Sequence, residues 1–226
     1  MQVGVSLKID PGHGHATRQA SDRLRDLILK GQISPGARIA ERMVQEQLGI
    51  TRTPLREALK VLAAEGLVTI IPNRGAVVAE LSAEDAHAAF ELLGVLDGEA
   101  GALAAERATD DEINHIAALH ERMVAAYQSR DLATYFRLNK DIHLAIVDAA
   151  GNAALARVYR SESARVDRLR YESNREPAVW ARSIRQHEQI LEALSTRQGA
   201  LLRALLISHR RSGWELAKAA FGRETE

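Results

Sequence analysis

The chain has 226 residues, and its 30 Lys and Arg side chains balance its 30 Asp and Glu side chains, so the formal net charge is zero. This length suits one large domain or two smaller ones. The absence of cysteine excludes disulfides and Cys-ligated metal sites, and it fits a reducing cytoplasm. No apolar run approaches the roughly 20 residues of a membrane span, and the N-terminus lacks a signal-peptide pattern. We therefore expect a cytoplasmic protein with no membrane partner.

The zero net charge hides an asymmetry along the chain. Residues 16–80 carry ten basic and seven acidic side chains, a net of +3, whereas residues 81–226 carry nineteen and twenty-two, a net of −3. A basic domain followed by an acidic one is typical of a DNA-binding head on a larger body. We predict a disordered tail over 1–15, a DNA-binding domain over 16–80 and a helical domain over 82–222.

The segment GITRTPLREALKVLAAEGLV, residues 49–68, organises the first domain. Gly49 can end a short helix in the left-handed conformation. Thr51 is a good N-cap for the next helix, and Pro54 falls in its first turn, where the missing N–H costs nothing. The apolar face of that helix is formed by Leu55, Leu59 and Leu62.

The opposite face of this helix begins with hydroxyl and guanidinium groups. They belong to Thr51, Arg52, Thr53 and Arg56. The partial positive charge of a helix N-terminus favours phosphates, and arginine can read guanine edges in a major groove. The face therefore suits a DNA recognition helix, although an ordinary amphipathic helix with a solvated, Arg-bearing face remains an alternative.

The neighbouring elements complete a winged helix-turn-helix. A short extended segment is expected at 38–40, and a turn at Asn73, Arg74 and Gly75 joins two strands of a hairpin. This turn forms a wing tip that could reach a minor groove or a phosphate, with a solvated turn as the alternative. The other predicted elements are helices over 17–30, 41–48 and 52–65 and strands over 67–71 and 76–80.

The second domain has the pattern of an all-α bundle. Alanine and leucine dominate after residue 83, and no strand signal appears. Six helices would form a bundle large enough for an internal pocket. They are predicted at about 83–107, 110–129, 131–149, 152–173, 178–195 and 197–221. The fold class is therefore mostly α.

Three histidines lie on the apolar stripes of three different helices of this bundle. They are His143, His187 and His209, and Asn139 lies one turn before His143 on the same face. Imidazoles that converge in a bundle interior suit a divalent metal such as zinc or nickel. The alternative for each is a satisfied core histidine, and His120, also on an apolar stripe, is interpreted in that way.

The first domain resembles the N-terminal domain of the GntR family of bacterial transcription regulators. The resemblance spans residues 17–80 and rests on the motifs PG-x-R-I-x-E, LGITRTPLREAL, L-x-x-EGLV and PNRG. It implies that Arg42, Arg52 and Arg56 read bases and phosphates. It further implies phosphate contacts from Thr51 and Thr53 and a minor-groove approach by the backbone at Gly75, next to the wing residue Arg74.

Residues 83–221 resemble the FCD effector-binding domain of the FadR-type branch of the same family, most specifically in LNKDIHLAIVDAAGNAAL. In metal-binding members, a carboxylate one turn before the first of three histidines completes the ligand set, and vacant positions receive a carboxylate ligand. The ligands implied here are Asn139, His143, His187 and His209. Asn139 departs from the commoner Asp, and Gly94 stands where relatives often carry an inward arginine.

Together these features predict a ligand-responsive transcription regulator, by default a repressor. A homodimer would place two recognition helices on a palindromic operator. A small metabolite in the bundle, expected to be a carboxylate, would couple to DNA affinity. One alternative is a helical metallohydrolase that uses the three histidines, although no HExxH motif is present. The other is an effector-independent DNA-binding protein, which the inward polar residues argue against.

Overall fold

The computed structural model of the protein describes residues 11–72, 74–173 and 177–221. The chain divides into two compact units, residues 1–80 and residues 81–226. Each unit has apolar clusters of its own, so each is described by itself. The predicted fold class, a winged helix-turn-helix followed by a helical bundle, is confirmed.

The first unit contains three helices and a small sheet within its described residues. The sheet has the order β1-β3-β2, and both neighbouring pairs are antiparallel. The extended segment predicted at 38–40 becomes a third strand, because Ile39 pairs with Ala76. The elements are α1 (Pro11–Leu29), β1 (Arg38–Ile39), α2 (Glu41–Leu48), α3 (Arg52–Ala64), β2 (Val68–Ile71) and β3 (Gly75–Val78).

Two residues, Gly49 and Thr51, form the turn between α2 and α3. Gly49 has φ 63°, and its amide donates to the carbonyl of Gln45, which ends α2 in the left-handed conformation that glycine tolerates best. Thr51 occupies the N-cap position of α3 with an extended backbone, but its side chain makes no capping hydrogen bond. The apolar face of α3 packs into the core of the unit through Leu55, Leu59 and Leu62.

Helix α1 begins earlier than predicted. Residues 11–15 were expected in a disordered tail, but they form the first turns of a helix that starts at Pro11. Proline is well tolerated in a first turn, and each glycine in a helix costs only about 1 kcal/mol relative to alanine. The two glycines at positions 12 and 14 therefore do not end the helix. Residues 1–10 of the predicted tail lie outside the described residues.

In the second unit the predicted helices are confirmed, with ends that differ by no more than a few residues. The first two of these helices are capped at their N-termini: Ser82 accepts from the amide of Asp85, and Thr109 and Glu112 form a capping box. No helix within the described part of the chain is long and apolar enough to cross a membrane. The helices are α4 (Ala83–Arg107), α5 (Asp110–Gln128), α6 (Leu132–Ala149), α7 (Ala153–Ser173), α8 (Pro177–Ser195) and α9 (Gly199–Phe221).

Helix α4 packs closely along α9. The approach depends on small residues, because a Cβ atom added at Gly101 would lie 3.0 Å from the Cγ of Leu202 and would also collide with Leu206. A Cβ at Gly98 would lie 2.9 Å from Ile207. This close contact brings the buried face of α4 against the side chains of α9, where the candidate site of this unit lies.

Candidate functional site

A concave surface in the first unit lies between α3 and the wing. It gathers six of the seven predicted DNA-binding residues, and Thr51 alone is outside its lining. Six basic side chains line it, against only two acidic ones, Glu41 and Glu57, so the surface is strongly basic overall. Its basic side chains are Arg38, Arg42, Arg52, Arg56, Lys60 and Arg74.

The two arginines of α3 that are predicted to read DNA are exposed on this surface. Within the described residues, neither Arg52 nor Arg56 has an ion-pair partner, whereas Arg42 Nε donates to Glu46 Oε1 at 3.0 Å. The hydroxyl of Thr51 is also exposed and makes no cap bond, so it can contact a phosphate. Asn73, expected at the wing tip, lies outside the described residues.

Sequence reasoning missed two basic residues of this surface, Arg38 and Lys60. Arg38 lies on β1, and its Nε is 3.9 Å from the place that a Cβ on Gly75 would occupy. Its position beside the wing depends on the pairing of β1 with β3. This pairing joins residues that are nearly forty positions apart in the sequence, so no local sequence pattern predicts it. Lys60 follows Arg56 by one helical turn, so the helical period could have identified it.

In the second unit, the structure brings the three predicted histidines together in one cluster. His143 comes from α6, His187 from α8 and His209 from α9, and one nitrogen of each lies within 4.8 Å of the others. The ring centroids are 4.7–5.2 Å apart. His143 and His187 are almost completely buried. We call these three residues the histidine cluster.

Neighbouring acceptors determine which nitrogen of two of these rings carries the proton. His209 Nδ1 lies 2.9 Å from Gln186 Oε1, while the Gln186 amide nitrogen donates to Ser212, so His209 donates from Nδ1. His143 Nδ1 makes no well-formed hydrogen bond, but it lies 3.4 Å from a carboxylate oxygen of Asp97, which can only accept, and this negative charge favours the proton on Nδ1. Both rings therefore keep a lone pair on Nε2, and that of His143 is buried without a hydrogen-bond partner.

The cluster is electrically neutral at ordinary pH. Burial lowers the pKa of His143, and the nearby Asp97 only partly offsets this effect. Burial together with the neighbouring histidines lowers the pKa of His187 and the pKa of His209 well below the usual value. Neutral imidazole is the form that binds a metal ion.

Asn139 lies beside the cluster, but its amide has a defined orientation. Its oxygen accepts a hydrogen bond from Arg170 Nη2 at 2.7 Å. Its nitrogen lies 3.1 Å from His187 Nε2 and 3.4 Å from Ser183 Oγ. The atom that a metal ion would require is therefore engaged by Arg170 in this structure.

Buried ion pairs that the sequence did not predict surround the cluster. Arg210 Nε donates to Asp97 Oδ2 at 2.7 Å, and Arg210 also donates to the Tyr159 hydroxyl. Burial alone would raise the pKa of Asp97, but Arg210 and His143 hold it well below its usual value. Arg210 lies four residues after Leu206 on the buried stripe of α9. A charged residue on an apolar stripe is the sequence feature that could have identified it as a buried ion-pair partner.

Arg210 lies beside Gly94, the position at which the family resemblance implies an inward arginine. A Cβ added at Gly94 would lie 3.7 Å from Arg210 Cγ. An inward guanidinium is therefore present near this position, but it comes from α9 instead of α4.

A small cavity of about 40 Å³ adjoins the cluster. Arg170 and Arg210, both buried, form part of its wall, together with Asn139 and His209. Arg182, which is exposed, contributes a third guanidinium. The other residues that line the cavity are Ser183, Gln186, Ser212, Gly213 and Leu216.

Comparisons with known proteins agree with this architecture. Residues 16–78 match the family described as bacterial regulatory proteins, gntR family, and residues 88–212 match the FCD domain. The chain is 32% identical over 177 residues to the Nta operon transcriptional regulator of Aminobacter aminovorans, covering 77% of this chain and 81% of that protein. It is 27% identical to the HTH-type transcriptional repressor RspR of Escherichia coli K12, with 82% of each chain covered.

Among solved structures, E. coli McbR/YncC superimposes with a TM-score of 0.80 at 22% sequence identity, over 91% of this chain and 98% of that one. This likeness concerns the fold. The family and its relatives are transcription regulators and not enzymes, which removes support from the hydrolase alternative. The chain belongs to the GntR family of bacterial regulatory proteins and is a transcription regulator that carries an FCD effector-binding domain.

Proposed function

We propose that this regulator is a repressor whose operator affinity is controlled by a small carboxylate that binds in the helical bundle. The observation that carries the proposal is the convergence of three neutral histidines beside a cavity walled by buried guanidinium groups. A plain structural core would be apolar at these positions, because buried polar groups are costly unless they have partners or a ligand.

A divalent metal ion, zinc or nickel, is proposed at the histidine cluster. The residues present fit such an ion, because His143 Nε2 is buried without a hydrogen-bond partner and all three imidazoles are neutral. His143, His187 and His209 would hold it. The ion would supply a Lewis acid with open positions for a carboxylate oxygen.

The charges around the cavity support an anionic effector. Arg210 is paired with Asp97, and Arg170 Nη1 lies 3.8 Å from one carboxylate oxygen of Asp167, whose other oxygen contacts Lys140. Burial and the proximity of Arg210 lower the pKa of Arg170. An anion would relieve this accumulation of positive charge, and a carboxylate matches the fork of a guanidinium.

On the DNA side, a homodimer would place two α3 helices in successive major grooves of a palindromic operator, with half-sites about one helical turn apart. The exposed arginines Arg52 and Arg56 would read bases, and the wing would contact the backbone or the minor groove. Bacterial operators lie in the cytoplasm, so we propose that location for the protein. Repression is the proposed direction because relatives such as RspR are named repressors.

Selection of genomic fragments tests the operator part of this proposal. Sheared DNA from the source organism is captured on the purified protein and sequenced, and an Arg52→Ala/Arg56→Ala double variant serves as the matched control. We expect one enriched palindrome with the wild-type protein and none with the variant. Equal enrichment by both proteins would contradict the recognition-helix assignment. The enzymes encoded beside the palindrome then suggest which carboxylates to test for release of the protein from its operator.

Metal analysis of two histidine variants tests the cluster. After exposure to zinc or nickel and removal of excess ion, His187→Ala should retain no stoichiometric metal, while its helical circular dichroism stays unchanged. His120→Ala is the matched control, because His120 is also buried and its ring lies 6.4 Å from that of His187, outside the cluster. If metal survives in His187→Ala, or disappears equally in both variants, the proposed ligand set is wrong.

A further inference from the structure

The orientation of the Asn139 amide is fixed by its two neighbours. Arg170 has only donors, so the atom 2.7 Å from its Nη2 must be the amide oxygen. Reversing the amide would set an NH₂ group against the guanidinium and leave two donors in contact. The NH₂ group therefore points to His187 Nε2, 3.1 Å away.

This contact occupies the lone pair through which His187 could bind a metal ion. Because Asn139 donates to Nε2, the proton of the neutral ring lies on Nδ1, which is buried without a hydrogen-bond partner. His143 and His209 have the opposite arrangement, with the proton favoured on Nδ1 by a hydrogen bond to Gln186 Oε1 in His209 and by the nearby Asp97 carboxylate in His143, so that the lone pair lies on Nε2. In this structure two members of the cluster are prepared for a metal ion and the third is blocked.

Arg170 connects this block to the neighbouring cavity. It lines the cavity of about 40 Å³ together with Ser183 and Ser212. This volume accommodates a group of a few atoms, such as a carboxylate. A carboxylate can accept two parallel hydrogen bonds from a guanidinium, which are stronger than a bond to a neutral amide oxygen. An acid group in the cavity would therefore compete with Asn139 for Arg170.

We propose that Arg170 holds Asn139 as a lock on the histidine cluster, with the amide N–H group bound to His187 Nε2, and that a carboxylate in the cavity opens this lock by taking over Arg170. Once released, the amide can turn away from His187. Metal ion and carboxylate then bind cooperatively, because each favours the arrangement that the other requires. The proposal rests on the proposed function, since it concerns regulation of the same site.

The lock and a direct ligand role for Asn139 predict opposite effects of removing its side chain. Co²⁺ affinity is measured from visible absorption for the wild type, Asn139→Ala and the matched control Ser183→Ala, whose hydroxyl also contacts the amide nitrogen. With the lock, Asn139→Ala binds Co²⁺ roughly threefold to tenfold more tightly, the equivalent of one net hydrogen bond. Ser183→Ala stays within about twofold of the wild type. Weaker or unchanged binding by Asn139→Ala overturns the proposal.

The carboxylate arm uses acetate as the probe. Replacing chloride by acetate at constant ionic strength should tighten Co²⁺ binding to the wild type by about fivefold or more. It should tighten binding to Asn139→Ala clearly less, because only the direct bond between acetate and the ion remains in that variant. An equal response in both proteins, or none in the wild type, overturns the proposal. If Asn139→Ala fails to fold by circular dichroism, Asn139→Leu repeats both measurements, because it keeps the volume and lacks the N–H group.

His187→Ala separates failure of the lock from failure of the proposed metal site. If only the lock is wrong, the wild type and Asn139→Ala bind Co²⁺ with the same affinity, and His187→Ala loses it. If Co²⁺ affinity persists in His187→Ala, the cluster is not the metal site, and both the lock and the metal part of the proposed function are overturned.

Discussion

The two functional regions of this protein use charged side chains in opposite ways. On the concave surface of the first unit, Arg52 and Arg56 are exposed and have no ion-pair partner within the described residues. Around the histidine cluster, Asp97 and Arg210 are buried and paired with each other. The first arrangement leaves charge available for an external partner, whereas the second uses charge to hold helices together.

This difference has an energetic consequence. An exposed arginine contributes little to the free energy of unfolding, so it can be optimised for DNA without a cost to the fold. A buried carboxylate paired with a guanidinium cannot be removed without leaving an uncompensated charge in the interior. DNA binding and stability should therefore be separable at the arginines of the first unit, whereas the Asp97–Arg210 pair of the second unit cannot be changed without a loss of stability.

The largest expected effect is on stability in the second unit. Asp97→Ala leaves Arg210 buried without its carboxylate, so it should lower the free energy of unfolding by about 3–5 kcal/mol in urea denaturation. The matched control is Glu99→Ala, two residues further along α4, because Glu99 pairs with Arg203 at the surface and both side chains are about half exposed. That variant should lose less than about 1 kcal/mol. Similar losses in both variants would remove the distinction between the two regions.

Acidification should destabilise the second unit through the histidine cluster. Burial lowers the pKa values of His143, His187 and His209, so below pH 6.5 the unfolded state takes up protons that the folded state does not. Stability is then fully present above that pH and falls as the pH drops. At pH 5.5, with a chelator present, we expect a lower free energy of unfolding than at neutral pH, with an upper limit of about 1 kcal/mol per histidine set by the pKa of the unfolded state.

His187→Gln is the control for this acid effect. It removes one titrating ring, so urea denaturation at the two pH values should show a smaller loss of stability than in the wild type. A loss that is the same in the variant would mean that another group causes it.

In the first unit the expected effect is on DNA binding alone. Arg52→Ala and Arg56→Ala should each weaken operator binding by roughly 1–3 kcal/mol in fluorescence anisotropy. The unfolding free energy should change by less than about 0.5 kcal/mol, because neither side chain has a structural partner in the described residues. Lys30→Ala, directly after the end of α1 and outside the concave surface, should alter neither quantity. Unchanged affinity in both arginine variants would reject α3 as the recognition helix.

The smallest effect is expected at Arg38, beside the wing. A phosphate contact carries no sequence information, so Arg38→Ala should weaken binding to operator and to unrelated DNA about equally and reduce the salt slope by about one. Arg23→Ala is the control, because Arg23 is exposed on α1 and does not line the concave surface. A loss confined to the operator would instead make Arg38 a base reader.

The sequence predicted the arrangement of the basic face of α3 better than that of the buried site, and the reason is physical. Thr51, Arg52, Thr53 and Arg56 share one helix, so local periodicity places them without knowledge of the fold. The three histidines could be assigned to apolar stripes one helix at a time, which predicted that they point inward. Their convergence depended on the packing of three helices.

The partners within the buried site could not be predicted in this way. Asp97 and Arg210 are separated by 113 residues, and their pairing follows from the close approach of α4 and α9. The orientation of the Asn139 amide depends on Arg170, 31 residues away on another helix. A sequence pattern can assign a side chain to a face, but a hydrogen-bond direction requires both partners in three dimensions.

The uncapped start of α3 has a consequence for how the protein engages DNA. Thr51 takes the N-cap position, but its side chain makes no hydrogen bond to the first-turn amides and so leaves them without the acceptor that a cap would supply. A DNA phosphate placed there would supply the acceptor that the side chain does not. The first turn of α3 should then exchange its amide hydrogens readily in free protein and slowly on operator DNA. DNA binding would thereby supply the missing N-terminal cap of the helix that is proposed to read the operator.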